Sequence, residues 1–295
     1  MKNQFKGSIA LLTCTVIWGF AFIAQSVGMD LIGPFTFQMV RCLLAVALLV
    51  PLSFLLDINK CSMKESFDKW KNPRLWKASI LCGLALFVAS SLQQVGLVYT
   101  DAGKAGFITA LYIVLVPVMG IFMKKKVPVI VWMGVVLAAV GFYFLCITES
   151  FSINYGDVLL FLCAICFTFH ILIIDYFAPK ADGVALSCVQ FWFSGIVCMG
   201  IAFFKETPNI SAIFEAAVPI LYAGVMSCGV AYTLQILGQK HMKPAIASLI
   251  LSLESVISVL AGWVILKEVL TGRQLLGCAL VFSAVILAQI PVKNE

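Results

Sequence analysis

The sequence predicts an all-α polytopic membrane protein: ten transmembrane helices in two inverted five-helix repeats. Three observations predict it: the composition, ten apolar runs of spanning length, and a lysine and arginine distribution that separates two sides. Of 295 residues, 62% are hydrophobic and 12% charged, and the mean hydropathy is +1.06. A soluble domain has about 45–50% apolar and about 25% charged residues, because polar groups must cover its outside. One core cannot hide this excess, which excludes a soluble enzyme, a secreted module and a disordered regulator. With two His in the chain, no metal site is expected, and no cofactor.

A bilayer core about 30 Å thick takes about 20 apolar residues per helix. Ten segments meet that length: 7–27, 34–56, 78–100, 104–123, 128–147, 157–177, 184–204, 217–238, 244–265 and 272–291. The first follows Lys2 and Lys6 as a signal peptide would. It is too long for the apolar region of such a peptide and has no clear small-residue cleavage site, so it reads as a retained helix. The second opens at Gly33-Pro34. The gap after it, 57–77, is the longest connection and too short for a core of its own. The lysine run 124–126 separates the fourth segment from the fifth. The sixth stops before Pro179-Lys180-Ala181-Asp182-Gly183, and the seventh before Thr207-Pro208-Asn209. Nearly all of the eleven Cys lie inside these apolar runs, where Cys packs as a small hydrophobe. Cys163-x-x-Cys166 has redox spacing, but mid-helix and without polar company it also reads as packing.

Cytoplasmic loops carry the Lys and Arg excess of a membrane protein. With the N-terminus inside and ten spans, fifteen of the twenty Lys and Arg fall inside and four outside (Lys104, Lys205, Lys267, Arg273), with Arg41 within a span. Both termini are therefore expected in the cytoplasm, in a cell (inner) membrane. The net charge of +6 follows from topology and needs no nucleic-acid partner.

Residues 105–127 align with 247–269 without a gap at an offset of 142: Ala105 with Ala247, Gly120 with Gly262, Lys125-Lys126-Val127 with Lys267-Glu268-Val269. Gly134 meets Gly277 one residue further on in offset, and Gly7-Ser8 and Cys14 meet Gly156-Asp157 and Cys163. The chain thus divides into 1–150 and 151–295. Five helices per half is an odd number, so the second half enters from the opposite side. Such inverted repeats recur in secondary transporters, where the halves rock about a site near the midplane.

These residues carry a family resemblance over essentially the whole chain. Trp18-Gly19, Pro34, Arg41 and the stretch Gly96-Leu97-Val98-Tyr99-Thr100-Asp101-Ala102-Gly103 match in the first half. Gly156-Asp157, Ala247-Ser248-Leu249-Ile250, Glu254-Ser255-Val256 and Leu266-Lys267-Glu268 match in the second. The chain resembles the EamA family of the drug/metabolite transporter superfamily. The resemblance implies ten helices in two inverted repeats, cytoplasmic termini, and export of small metabolites, amino acids among them. Lys126 departs from the pattern, standing where the second repeat has the family's usual Glu, Glu268.

A charge within a span costs about 3 kcal/mol or more at mid-helix and is functional by default. Glu254 is 11 residues past Lys243, about 16 Å at ~1.5 Å per residue, close to the midplane. Two roles fit it: carrying a coupling proton, or facing a substrate ammonium. Tyr112 occupies the same position in the other repeat. Ser248, Ser252, Ser255 and Ser258 share the helix arc of Glu254, either as part of the site or as small packing residues that bond across helices. Arg41, seven residues past Pro34, has three readings: it binds a carboxylate bidentately, neutralises Glu254, or snorkels outward. The family resemblance favours a structural or gating role for it. Asp175 reads as a solvated helix end facing Lys180.

Other polar positions inside spans (Gln25, Gln38, Ser90, Ser91, Gln93, Gln94, Gln190, Tyr232, Gln235) exceed what lipid-facing helices tolerate. Some of them line a cavity, and Gln94 is the amide candidate. His170 is either a titrating group or a core imidazole bonded to a backbone carbonyl. Trp18, with Phe191, Trp192 and Phe193, either stacks on an aromatic or cationic ligand or, in a chain with 23 Phe, faces lipid or core.

No HExxH, GxSxG or phosphate loop occurs, so an intramembrane enzyme is not expected, and no charge ring or repeated filter suggests a channel. The expected function is secondary-active export of a small-molecule substrate through the bilayer, amino acids or related compounds first, with proton coupling an option at Glu254. Efflux of hydrophobic cationic drugs is the alternative.

Overall fold

A computed structural model describes residues 2–58, 60–100, 102–146, 154–265, 269 and 271–290. The expected repeat junction at 150/151, Asp101, Leu266-Lys267-Glu268 and Lys293 lie outside the described residues. The described chain is helical: α1 (Lys2–Met29), α2 (Pro34–Asp57), α3 (Met63–Asp68), α4 (Pro73–Gly96), α5 (Ala102–Ala110), α6 (Tyr112–Phe122), α7 (Val129–Cys146) and α8 (Tyr155–Phe177) come first. Then follow α9 (Gly183–Lys205), α10 (Ile210–Glu215), α11 (Ala217–Leu221), a π-helical run Tyr222–Ala231, α12 (Tyr232–Gln239), α13 (Pro244–Leu251), α14 (Leu253–Ile265) and α15 (Gly272–Ala288). Near-continuous helices merge α5 with α6, α11 with α12, and α13 with α14. Eight helices are then long and apolar enough to cross a membrane, and α7 and α15 are two shorter apolar ones. This is an all-helical, multi-pass membrane bundle.

One boundary differs clearly from the sequence reading. The third span was expected at 78–100, but α4 covers Pro73–Gly96. Asn72 accepts the backbone N–H of Arg74, and Pro73 occupies the first helical turn, where its missing N–H costs nothing. Cap chemistry therefore starts the helix among charged residues, and 97–100 become a turn. The connection from α2 to α4 holds α3, capped reciprocally by Ser62 and Glu65, and Phe67 packs on Phe54 at 4.8 Å between ring centroids. It forms no separate core.

Helix α7 lies along α15, α2 along α9, α4 along α8 and α9, and α1 along α14 and the run from α11 to α12. Glycines set the closest crossings, since small residues let helix backbones approach. A Cβ on Gly7 would sit 2.9 Å from the Gly238 carbonyl oxygen, and one on Gly238 would sit 2.8 Å from Leu11 Cγ. The α4–α8 crossing is built alike. A Cβ on Gly156 would sit 2.8 Å from the Gly96 carbonyl oxygen, and one on Gly96 would sit 2.8 Å from Leu160 Cγ. The start of α2 is capped from across the bundle. The Glu206 carboxylate, just past α9, accepts the N–H groups of Phe35 and Thr36 at 2.9 and 2.8 Å and the Thr36 hydroxyl at 2.6 Å.

Candidate functional site

Two helices break at mid-length. Leu111 interrupts the path from α5 to α6, and Ser252 interrupts the path from α13 to α14. Tight backbone bonds close the gaps, Val114 N–H to Leu111 C=O at 3.0 Å and Ser255 N–H to Ser252 C=O at 3.2 Å. Tyr112 follows the first break and Glu254 the second. The Tyr112 hydroxyl donates to Glu254 Oε1 at 3.0 Å, joining residues 142 apart in sequence. Both are buried, 3% and 5% exposed. The repeat offset had put them at corresponding positions, and the structure brings them together.

The pair lies on the wall of a cleft that also receives Trp18, Phe22 and Gln25 from α1, Arg41 from α2, Gln93 from α4, Phe167 from α8, and Ser227, Tyr232 and Gln235 from the π-helical run and α12. Residues 18, 22 and 25 recur at helical spacing, so they share the face of α1 that looks into the cleft. Trp18 packs on Tyr232 with ring centroids 4.6 Å apart. Ser227 sits in the wide π-helical turn, where Gly224 lets the backbone approach α2: its Cβ would lie 3.0 Å from the Arg41 carbonyl oxygen. Extra-wide turns of this kind are frequent at functional sites. The cleft is narrow, with about 40 Å³ open to water.

Arg41 is 4% exposed and donates from Nη1 to Gln25 Oε1 at 2.6 Å, with its guanidinium 5.7 Å from the Phe37 ring centroid. It does not snorkel, because Gln25 and the Phe37 face hold it inside. It does not neutralise Glu254 by contact either. Among the described residues, no ion pair joins Arg41 to a carboxylate. Its Nε and the indole Nε1 of Trp18 are buried without a protein partner. The cleft therefore presents an acid and a guanidinium, both withdrawn from bulk water and not paired with each other.

Other candidate residues stand elsewhere. Ser252 and Ser248 donate back to the carbonyls of Leu249 and Ala245, and Ser255 bridges to the Gly106 carbonyl at 2.9 Å. Ser258 is buried, and none of these serines lines the cleft. Gln94 points away from the cleft into the bundle, its amide unpartnered, while its neighbour Gln93 faces the cleft. Adjacent helical residues differ by about 100° in direction, which hydropathy does not resolve. His170 corrects the expectation of a backbone partner. Its Nε2 meets Gln190 Oε1 at 3.2 Å, because α9 sets that amide beside α8. It packs against Phe167 and Tyr232 behind the cleft wall. Asp175 corrects another expectation: it pairs with Lys125, while Lys180 caps the Tyr176 ring at 3.2 Å. Asp175 lies in a separate cavity from Glu254, so the two carboxyls form no dyad. Among the described residues, no group of three or more His, Cys, Asp or Glu could hold a metal ion. Gln25, Ser227 and Phe167 were not singled out as site residues by sequence. Gln25 stood only among the in-span polar positions from which the cavity lining was expected to come, and no sequence signal pointed to Ser227 or Phe167.

A multi-pass helical bundle with broken helices and a charged, partly aromatic cleft beside the breaks is the architecture of a membrane transporter. The EamA-like transporter family model matches twice, over residues 5–147 and 154–289. An uncharacterized transporter of Archaeoglobus fulgidus is 31% identical, covering 98% of this chain and 88% of that protein. The uncharacterized transporter YoaV of Bacillus subtilis is 22% identical over 96% of each. A solved crystal structure at 14% identity superposes with a TM-score of 0.81 over 96% of both chains, which speaks for the fold. The chain belongs to the EamA-like transporter family. It is a membrane transporter in two EamA domains and not a member of an enzyme family.

Proposed function

We propose that the protein is a secondary-active exporter of small zwitterionic metabolites, amino acids foremost, working by alternating access of two inverted five-helix repeats. In this reading ten helices span the cell membrane and both termini are cytoplasmic. One observation carries the substrate class. Glu254 and Arg41 line one cleft without pairing, and a buried charge without a counter-charge is costly. A substrate bearing both an ammonium and a carboxylate supplies a partner to each. Trp18, Phe22, Phe167 and Tyr232 give its side chain an apolar wall.

Inversion is supported by geometry that repeats between the halves. The helix breaks at Leu111 and Ser252 fall within one residue of the 142-residue offset. In the Gly7–Gly238 and Gly156–Gly96 crossings, Gly7 aligns with Gly156, and Gly96 meets Gly238 at the same offset of 142. About 40 Å³ of open space holds a water but no amino acid, so the walls must part for substrate to enter. Rocking of the two halves about the cleft provides that opening.

Efflux of hydrophobic cations is the second reading, favoured by Glu254 among aromatic rings. The Arg41 guanidinium in the same cleft opposes it, because like charge there repels a cation. The test is efflux from liposomes preloaded with amino acids and amines, with and without a pH gradient, for wild type, Glu254→Gln and Arg41→Gln. Each variant is expected to lose roughly tenfold or more in apparent affinity for zwitterions, as loss of a charged hydrogen-bonding partner implies. Glu254→Gln with unchanged pH dependence and affinity sinks the assignment of that residue. Competition by lipophilic cations transfers the reading to drug efflux.

A further inference from the structure

A second cavity, of about 600 Å³, opens where the α6–α7 connection, the end of α8 and the α12–α13 connection meet. It is roomier than the central cleft and lies on the side that the lysine partition assigns to the cytoplasm. Lys125 and Lys126 reach it from one connection, and Lys240, His241 and Lys243 from the other. Asp175 is the one carboxylate in its lining, and Lys125 already takes it. Lys126, Lys240 and Lys243 are exposed at the mouth, and among the described residues no ion pair neutralises them. The back wall is apolar, with Val116, Pro117 and Val131 from membrane-embedded helices.

Local backbone geometry contributes to this convergence. The α6 helix ends with Lys124 at φ 58°, left-handed, and Lys125 N–H bonds back to the Gly120 carbonyl at 2.8 Å. A lysine takes that conformation only against steric resistance. The turn folds the chain back over Gly120 and directs Lys125 and Lys126 toward the cavity instead of away from the bundle. Topology alone requires lysines on this side. It does not require lysines from two connections, far apart in sequence, to line one cavity whose rear is apolar. A cationic rim over an apolar wall matches an anionic amphiphile, and basic pockets between helices on the cytoplasmic side suit acidic lipid headgroups.

We propose that this cavity binds the headgroup phosphate of an anionic phospholipid, with the acyl region lying against its apolar wall. The site is independent of the transport reading, and its test reads binding. Purified full-length protein in neutral detergent is titrated with phosphatidylglycerol, with phosphatidylcholine as the comparison, and retained lipid is followed by native mass spectrometry. Phosphatidylglycerol is expected to bind in preference to phosphatidylcholine. Lys240→Gln with Lys243→Gln is expected to weaken that binding roughly thirtyfold, from about fivefold per basic residue near a membrane surface. Lys60→Gln with Lys64→Gln removes the same charge from exposed positions in the segment joining α2 to α4 and is expected to leave it unchanged. Equal loss in both double variants, equal retention of phosphatidylcholine, or displacement by the same concentration of glycerol phosphate overturns the proposal. Thermal unfolding verifies that each variant is folded, and Lys126→Gln with Lys243→Gln stands in if the first pair is not.

Discussion

Replacing Gly156 by alanine tests the α4–α8 crossing on which the bundle depends. The new methyl carbon would lie 2.4 Å from Thr100 Oγ1, 2.8 Å from the Gly96 carbonyl oxygen and 2.8 Å from Tyr99 Cβ. The last two belong to, or are fixed by, the backbone and cannot rotate away. Thr100 is held too, bonded at 3.1 Å to both Asn154 and Asp157. Overpacking of this kind costs about 1–3 kcal/mol, and the helix preference of Ala over Gly returns at most about 1 kcal/mol. A net loss of about 1 kcal/mol follows, or roughly 2–4 °C in Tm at about 2–4 °C per kcal/mol. Gly200, exposed in the C-terminal part of α9, is the control: nothing lies within 4 Å of its Cβ position. Gly200→Ala should therefore raise Tm by about 2–3 °C through helix preference alone. The assay is thermal unfolding in one detergent. Gly156→Ala melting at or above wild type would refute the close crossing, and both variants shifting in the same direction would refute the steric reasoning.

Three further outcomes are expected. Lys125→Met and Asp175→Asn should each destabilise by about 1–2 kcal/mol, less than for a fully buried pair because the side chains are 33% and 18% exposed; the double variant should recover part of the loss in the same melting assay. Glu206→Gln removes charge from the cap of α2 and should cost about 1 kcal/mol, a loss that a cap-independent start to α2 would not show. A variant keeping Cys61 as its one cysteine should react with a membrane-impermeant maleimide in inside-out vesicles and not in intact cells; the reverse labelling would invert the proposed orientation.

Hydropathy made the spans legible because twenty apolar residues have few uses outside a bilayer. It misplaced α4, where Asn72 and Pro73 start the helix within a charged stretch. Cap chemistry there outweighed the charge that had read as loop. Tyr112 and Glu254 were legible as corresponding positions through the 142-residue offset, whereas the hydrogen bond between them is seen only in the fold. Partners between non-corresponding helices were not legible. Lys180 lay nearer Asp175 in sequence, yet the fold brings Lys125 to it. His170 faces Gln190 for the same reason, because apolar periodicity says which face is buried and not which helix covers it. The serine arc shows the limit from another side: Ser252 and Ser255 share an arc with Glu254, but their hydroxyls bond to backbone carbonyls.

The Tyr112–Glu254 contact joins the two broken helices, so its role can be separated from that of the carboxylate. If the phenol acts by positioning Glu254, Tyr112→Phe removes one hydrogen bond to the acid and leaves the charge in the cleft. A hydrogen bond to a charged group is worth about 1.5–3 kcal/mol, which predicts a loss of roughly tenfold or more in apparent substrate affinity. The double variant Tyr112→Phe with Glu254→Gln should then be no worse than Glu254→Gln alone, since the phenol has no carboxylate left to hold. Residues that act as a unit show coupling of about 0.5–3 kcal/mol in such a cycle. Liposome efflux at several substrate concentrations separates affinity from maximal rate. Additive losses would mean that Tyr112 meets the substrate in its own right, and the broken helices would then contribute two independent contacts instead of one joined site.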